Sequence, residues 1–182
     1  MTGDDVDIRT ERLLLRRWRD ADREPWAAIC ADPEVMRHFP ALQTREQTDA
    51  TIDRIDAHFD EHGFGLWAVE RLEEGDFIGF VGLHHLTYDA HFTPAVEIGW
   101  RLARTSWGRG YATEAARAAV DHAFTTLDLD AIVSVTVPAN EPSRNVMRKL
   151  GMTHDPAGDF EHPNVPEGSP LRHHVLYRLQ RG

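Results

Sequence analysis

The sequence is sparing with several residues whose presence would point to a particular chemistry. Cys30 is the only cysteine, which excludes disulfides within the chain and zinc sites built from clustered thiolates. Lys149 is the only lysine among many arginines, a bias read here as codon usage rather than function. Acidic residues outnumber basic ones, 30 to 20, for a formal net charge of -10. A general nucleic-acid binder needs a basic footprint, so that class is set aside. The acidic excess suits a cationic substrate and equally suits a plain acidic surface. No run approaches the roughly 20 apolar residues of a membrane span, and the polar stretch Met1 to Asp7 lacks a signal peptide's apolar core. The expectation is a cytoplasmic protein without membrane contact.

What is present is ordinary globular material. A chain of 182 residues, 41% hydrophobic, fits one domain spanning 1–182 and is long enough to bury a core without staples. No repeat, low-complexity tract or linker divides it. Cys30 sits in the apolar helical pattern Trp26-Ala27-Ala28-Ile29-Cys30 and reads as a packing residue, not a nucleophile.

Taken in order, Arg9 to Trp18 reads as a first strand, followed by a helix capped by Asp20 and ending near Asp32-Pro33. Thr44 and Gln47 form a capping box for a helix that carries Ile52, Ile55 and Phe59 and stops at Gly63. Leu66–Glu70 and Phe77–Leu83 read as a hairpin around Glu73–Asp76, and Val96–Leu102 as the next strand, so the early chain is an antiparallel meander. Ala112 to about Leu127 is a helix with an alanine-rich stripe, and the β-branched run Ile132–Val137 is a buried strand. A strand, helix and strand in succession make a βαβ crossover and hence one parallel pair. A helix from Pro142 to a glycine stop at Gly151, a long polar loop from His154 to Pro170, and a final strand His173–Leu179 complete the chain.

The informative stretch is the turn between the Val96–Leu102 strand and the helix behind it. Gly108 and Gly110 permit backbone conformations closed to other residues, and the helix start leaves amide N–H groups unpaired beside them. Those amides, with the positive end of the helix dipole, suit a phosphate. A dinucleotide-binding loop would need G-x-G-x-x-G in the first βαβ unit; here Thr113 stands in place of the third glycine and several strands precede the loop.

Trp107-Gly108-Arg109-Gly110-Tyr111-Ala112 instead resembles the pyrophosphate loop Q/R-x-x-G-x-G/A of the GNAT superfamily of N-acetyltransferases, departing at Trp107. The wider W-G-x-G-Y-A-T-E-A is similar to the RimJ/RimL-type branch. The opening Thr10-Glu11-Arg12-Leu13 and the segment carrying Asn140, Ser143, Lys149, Leu150 and Gly151 match that branch too, so the resemblance covers most of Arg9 to Met152.

The resemblance implies an α/β (α+β) fold with a mixed, mostly antiparallel central sheet, a βαβ parallel pair and helices on both faces. It implies acetyl-CoA as co-substrate, with no metal. The pyrophosphate would rest on the amides of Gly108, Arg109, Gly110, Tyr111, Ala112 and Thr113. The pantetheine would run between splayed strands, beside Leu102, Asn140 and Asn145, with Arg104, Arg109 and Arg144 as phosphate partners or as ordinary surface arginines. Glu97 would be the base, the plain alternative being a salt-bridged strand glutamate. No tyrosine lies between Tyr111 and Tyr177, and Met147 stands where many relatives place one. Ser143 matches the serine of the RimL-like branch that protonates the leaving thiolate, against a simple helix-start role. Phe39, Phe64 and His84 are candidate acceptor contacts, although core packing is the favoured reading of Phe39 and Phe64.

His38, His85, His173 and His174 are further titratable candidates; the paired histidines sit at strand ends, where neighbours face opposite sides and give no metal-ligand geometry. The acceptor would be a small-molecule amine or a protein N-terminal amine, attacking directly without a covalent enzyme intermediate, and a homodimer is common in such folds. The rival is a catalytically silent acyl-CoA-binding sensor.

Overall fold

The computed structural model describes residues 7–182. Met1 to Val6, on which most of the signal-peptide argument rests, lie outside the described residues. The chain runs β1 (Ile8–Arg9), β2 (Leu13–Arg16), α1 (Arg23–Ala31), α2 (Arg45–His62), β3 (Leu66–Arg71), β4 (Phe77–His85) and β5 (Val96–Leu102). It continues with α3 (Tyr111–Thr125), β6 (Ala131–Thr136), α4 (Glu141–Lys149), β7 (Thr153–His154), β8 (Phe160–Glu161) and β9 (His173–Gln180). The sheet order is β1-β2-β3-β4-β5-β6-β9-β7, with β8 on β9. All pairs are antiparallel except β5 with β6, the expected crossover.

The expected first strand is two strands. Thr10 breaks it: its N–H donates to the Leu13 carbonyl, and its hydroxyl donates to the Glu114 carboxylate at 2.6 Å while accepting from the Leu13 N–H. Asp20 does not cap the next helix: it lies in a short 3-10 turn, Asp20–Asp22, that leads into α1. Asp22 holds that corner instead. Its carboxylate accepts from the Arg19 N–H and forms a two-pronged pair with Arg16 at 2.8 and 2.9 Å. Glu70 joins the pair from β3 at 2.7 Å, so a nearly buried ionic cluster locks β2 to β3 and to the start of α1.

The box at Thr44 and the left-handed stop at Gly63 stand as expected in α2, where Ile52, Ile55 and Phe59 are buried. Trp26 of α1 packs edge-on against Phe80 of β4. Trp67 lies across from Val81, hence on the opposite face, and meets His122 of α3. Helices therefore cover both faces. Ala115, Ala116, Ala119 and Ala123 are fully buried, which lets α3 lie close against the sheet. The tail is less of a loop than its polarity implies: β7 and β8 clip it to β9, helped by Asp155 with Arg178 and His154 with Asp159.

Candidate active site

The feature that makes the site is a gap in the sheet. β5 and β6 share one registered pair, Glu97 with Val133, and then part. Side chains replace the missing ladder: the Ser134 hydroxyl donates to the Ile98 carbonyl at 2.9 Å, and the Val135 N–H donates to a Glu97 carboxylate oxygen at 3.4 Å. A cavity of about 800 Å³ opens where the strands diverge.

Glu97, Ser143 and His84 stand together on its wall, with Phe39 toward the α1 side. The Glu97 carboxylate lies 3.1 Å from His84 Nε2, across the β4–β5 pair in which the two residues are direct partners. Burial pushes the Glu97 carboxyl up to about 8, opposed by the Val135 N–H. Burial also holds His84 neutral, down to about 4, with His58 and His85 adding to the effect. At neutral pH the pair is thus a protonated carboxyl beside a neutral imidazole, poised to give up one proton just above neutrality.

At the other end lie Gly108, Gly110, Tyr111, Ala112 and Thr113. Gly110 caps α3 in the left-handed region at φ 80°, and no side chain caps the helix there. The first-turn amides therefore have no partner within the helix. A Cβ built on Gly108 meets nothing within 4 Å, so its need for glycine is the φ of 72°, not crowding. Arg12 braces the loop from behind, donating to the Arg109 carbonyl at 3.0 Å, pairing with Glu114, and lying 4.6 Å over the Tyr111 ring. Trp107, the departure from the loop pattern, has a use: its indole N–H donates to the Leu102 carbonyl at 2.9 Å and pins the loop to the end of β5.

Asn140 and Leu102 also line the cavity. Asn140 caps α4, accepting from the Ser143 N–H while donating to the Thr136 hydroxyl. Leu102 does not offer the free edge assigned to it, because its carbonyl is taken by Trp107; Gly99 and Trp100 lie nearer the gap.

Several arginine and asparagine assignments end elsewhere. Arg104 pairs with Asp32 at 3.2 Å, Arg144 donates to the Tyr177 hydroxyl and the Pro138 carbonyl, and Asn145 accepts from Arg148. Neither they nor Arg109 line the cavity. Phe64 is 5% exposed and packs against His58 and His85, so it is core rather than substrate wall. Lys149 had been set aside, yet it stands on the wall beside the loop.

Arg101 was missed altogether. It alternates with Gly99 and Glu97 along β5 and so shares their face, the one signal available in the sequence. Its guanidinium lies 4.0 Å over Phe39, 5.3 Å over Trp26 and 5.9 Å over Phe80, with Cys30 Sγ at 3.4 Å. It has no ion pair among the described residues, and its Nε has no hydrogen-bond partner. Cys30 is fully buried, and burial pushes its thiol up, as suits a packing residue.

A split parallel pair, a glycine loop opening a helix and a half-buried carboxyl between them frame one cleft, and the comparisons give the class of protein to which such a cleft belongs. Residues 12–153 match the family described as acetyltransferase (GNAT) domain, and the chain belongs to that family, whose general chemistry is acyl transfer from acetyl-CoA. The FsC-acetyl coenzyme A-N(2)-transacetylase of Aspergillus fumigatus is 36% identical over 154 residues, covering 81% of this chain and 65% of that protein. An acetyltransferase from Agrobacterium tumefaciens superposes with a TM-score of 0.77 at 31% identity, over 96% of this chain and 94% of the other. RimJ of Mycobacterium smegmatis, solved with a CoA disulfide, shares the fold with a TM-score of 0.72 at 24% identity, over 92% and 81%. RimJ/RimL-type enzymes are thus among its structural neighbours, in line with the resemblance seen in the sequence.

Among the described residues no helix is long and apolar enough to cross a membrane.

Proposed function

We propose that the chain moves an acetyl group from acetyl-CoA to a primary amine by direct attack, with Glu97 as base. The observation that carries the reading is the Glu97–His84 pair, buried at the point where β5 and β6 part and open to the cavity that ends at the glycine loop. The donor fits what is present: uncapped helix amides and a loop clear of side chains for a diphosphate, and a sheet gap for an extended arm. Gly108 to Thr113 and Lys149 would hold the phosphates, and Asn140 the arm; bound there, acetyl-CoA supplies an activated thioester.

An aliphatic amine, with a pKa of ~10, is charged at neutral pH and must lose a proton before it attacks. The ionised fraction of Glu97, small at neutral pH and growing as pH rises through about 8, takes it, and His84 receives the hydrogen bond that the carboxyl can then give. The nitrogen bonds to the acetyl carbon and gives its surplus proton to solvent, the carbon–sulfur bond breaks to leave the neutral amide, and the departing thiolate takes a proton from the Ser143 hydroxyl, which recovers one from solvent. Backbone N–H groups of the parted β5 are the donors for the developing oxyanion. The only thiol, Cys30, is buried and does not line the cavity, which supports transfer without an acyl-enzyme.

The acceptor is a small-molecule amine or a protein N-terminal amine that also carries an anionic group. Arg101 supports this: an almost unshared cation on the acceptor wall gains most from a carboxylate or phosphate. Release of free thiol from acetyl-CoA across a panel of amines, with and without a carboxylate, tests the reading. Donor binding with no turnover on any amine would leave a silent acyl-CoA sensor in its place.

A further inference from the structure

A second cluster lies away from the cavity, where the last turn of α2 meets the end of β4. His58 and His62 are four apart on α2 and share a face, and His85 comes to them from the strand. One ring nitrogen of each lies within 4.8 Å of the other two. The ring centroids of His62 are 4.4 Å from those of His58 and His85, and the latter two are 5.5 Å apart. The reading that paired histidines give no ligand geometry considered the strand alone; α2 supplies the other two ligands.

We propose that His58, His62 and His85 bind a divalent transition-metal ion of the zinc type, stapling the C-terminal turn of α2 to β4. Three histidines with an open fourth position are a known donor set for such ions, and tetrahedral ligation places nitrogens about 3.3 Å apart, given metal–nitrogen bonds of ~2.0–2.1 Å. His58 is set for the task. Its Nδ1 donates to the Phe64 carbonyl at 2.8 Å, which leaves the Nε2 lone pair facing His85, whose backbone N–H it accepts at 3.2 Å and whose Nδ1 lies 3.4 Å away. That long bond is exchanged for coordination.

The Phe64 ring lies 5.2 Å from His58 and 5.3 Å from His85 and fixes both from below. His62, at the surface, already lays its ring against both. Burial holds His58 and His85 toward their neutral, ligand-competent forms. Water fills the fourth position.

The full-length chain, freed of metal, is titrated with Zn²⁺ by calorimetry and with Co²⁺ by visible absorption. One equivalent of Zn²⁺, the strong colour of tetrahedral Co²⁺ and a rise in Tm on adding Zn²⁺ are expected. His62→Ala removes a surface side chain from a helix, and His85→Asn removes the strand ligand; each should weaken uptake about 10-fold or more. His173→Ala, outside the cluster, should leave it unchanged. No Zn²⁺ uptake by well-folded wild-type protein, or uptake equal in wild type and His62→Ala, overturns the proposal. Acetyl transfer need not be measured, so the result stands apart from the reading of the cavity.

Discussion

The indole N–H of Trp100 donates to the Ser143 hydroxyl oxygen over 3.3 Å, joining β5 to the first turn of α4 across the gap between β5 and β6. The bond fixes the serine oxygen and leaves its own proton to be given elsewhere. Ser143→Ala should therefore lower kcat more than it weakens coenzyme A binding. A thiol with a pKa of ~8.5 needs little help to leave, so the loss is expected near the lower end of the range for acid catalysis, about 100-fold. Steady-state rates beside calorimetric affinity decide it; an unchanged kcat would remove Ser143 from the chemistry.

Glu97→Gln keeps the shape of the side chain and removes the proposed base. kcat/KM in the wild type should rise with pH toward a plateau above about 8, where the carboxyl has lost its proton, and the variant should lose that limb. The drop in kcat is expected at roughly 10²–10⁴-fold. Stability runs the other way. The folded carboxyl titrates above its usual value, so its contribution is complete below about 4.5 and lost as pH rises through about 8. Thermal melts at alkaline pH should show Glu97→Gln more stable than wild type; equal melting across the range would contradict a buried, strained carboxylate.

Gly108→Ala adds one methyl group in open space yet demands a left-handed backbone, at a cost of about 1–2 kcal/mol. The loop, open to solvent, relaxes out of that conformation in the free protein, so coenzyme A affinity should fall by about 10-fold with the Tm of the free protein little changed. Equal affinity would mean that the loop does not hold the phosphates.

Arg101→Met keeps the bulk of the side chain and removes its charge. KM should rise for acceptors carrying a carboxylate and stay level for neutral amines, while coenzyme A affinity is unaffected. A uniform rise across both acceptor classes would assign Arg101 to packing alone.

Asp22→Ala leaves Arg16 with only Glu70 in a nearly buried setting. Removing the two-pronged half of the cluster costs about 3–5 kcal/mol, since the cation then keeps only Glu70 and the Arg17 carbonyl in a nearly dry setting. Chemical denaturation should show the loss, and a change under about 1 kcal/mol would point to a water-filled corner instead.

Much of this architecture is legible in the residues themselves. The hairpin, the box at Thr44, the stops at Gly63 and Gly151 and the crossover all follow from local patterns, because each is settled by neighbours in sequence. Glu97, Ser143 and the glycine loop are legible through motif. What escapes is set by distant partners. Nothing near Arg104 or Arg144 in sequence announces Asp32 or Tyr177, which turn those guanidiniums away from the cavity. The use of Arg101 depends on Trp26 and Phe39, and that of His85 on α2. Thr10 breaks a strand because Glu114, far along the chain, holds its hydroxyl.

The lone backbone rung between Glu97 and Val133 makes the sheet two plates joined by a single rivet. A guest that zips itself into the seam would weld them into one slab. Occupancy should then register far from the guest, as slower amide exchange along β6 and β9, so that the protein stiffens as a whole when it is loaded.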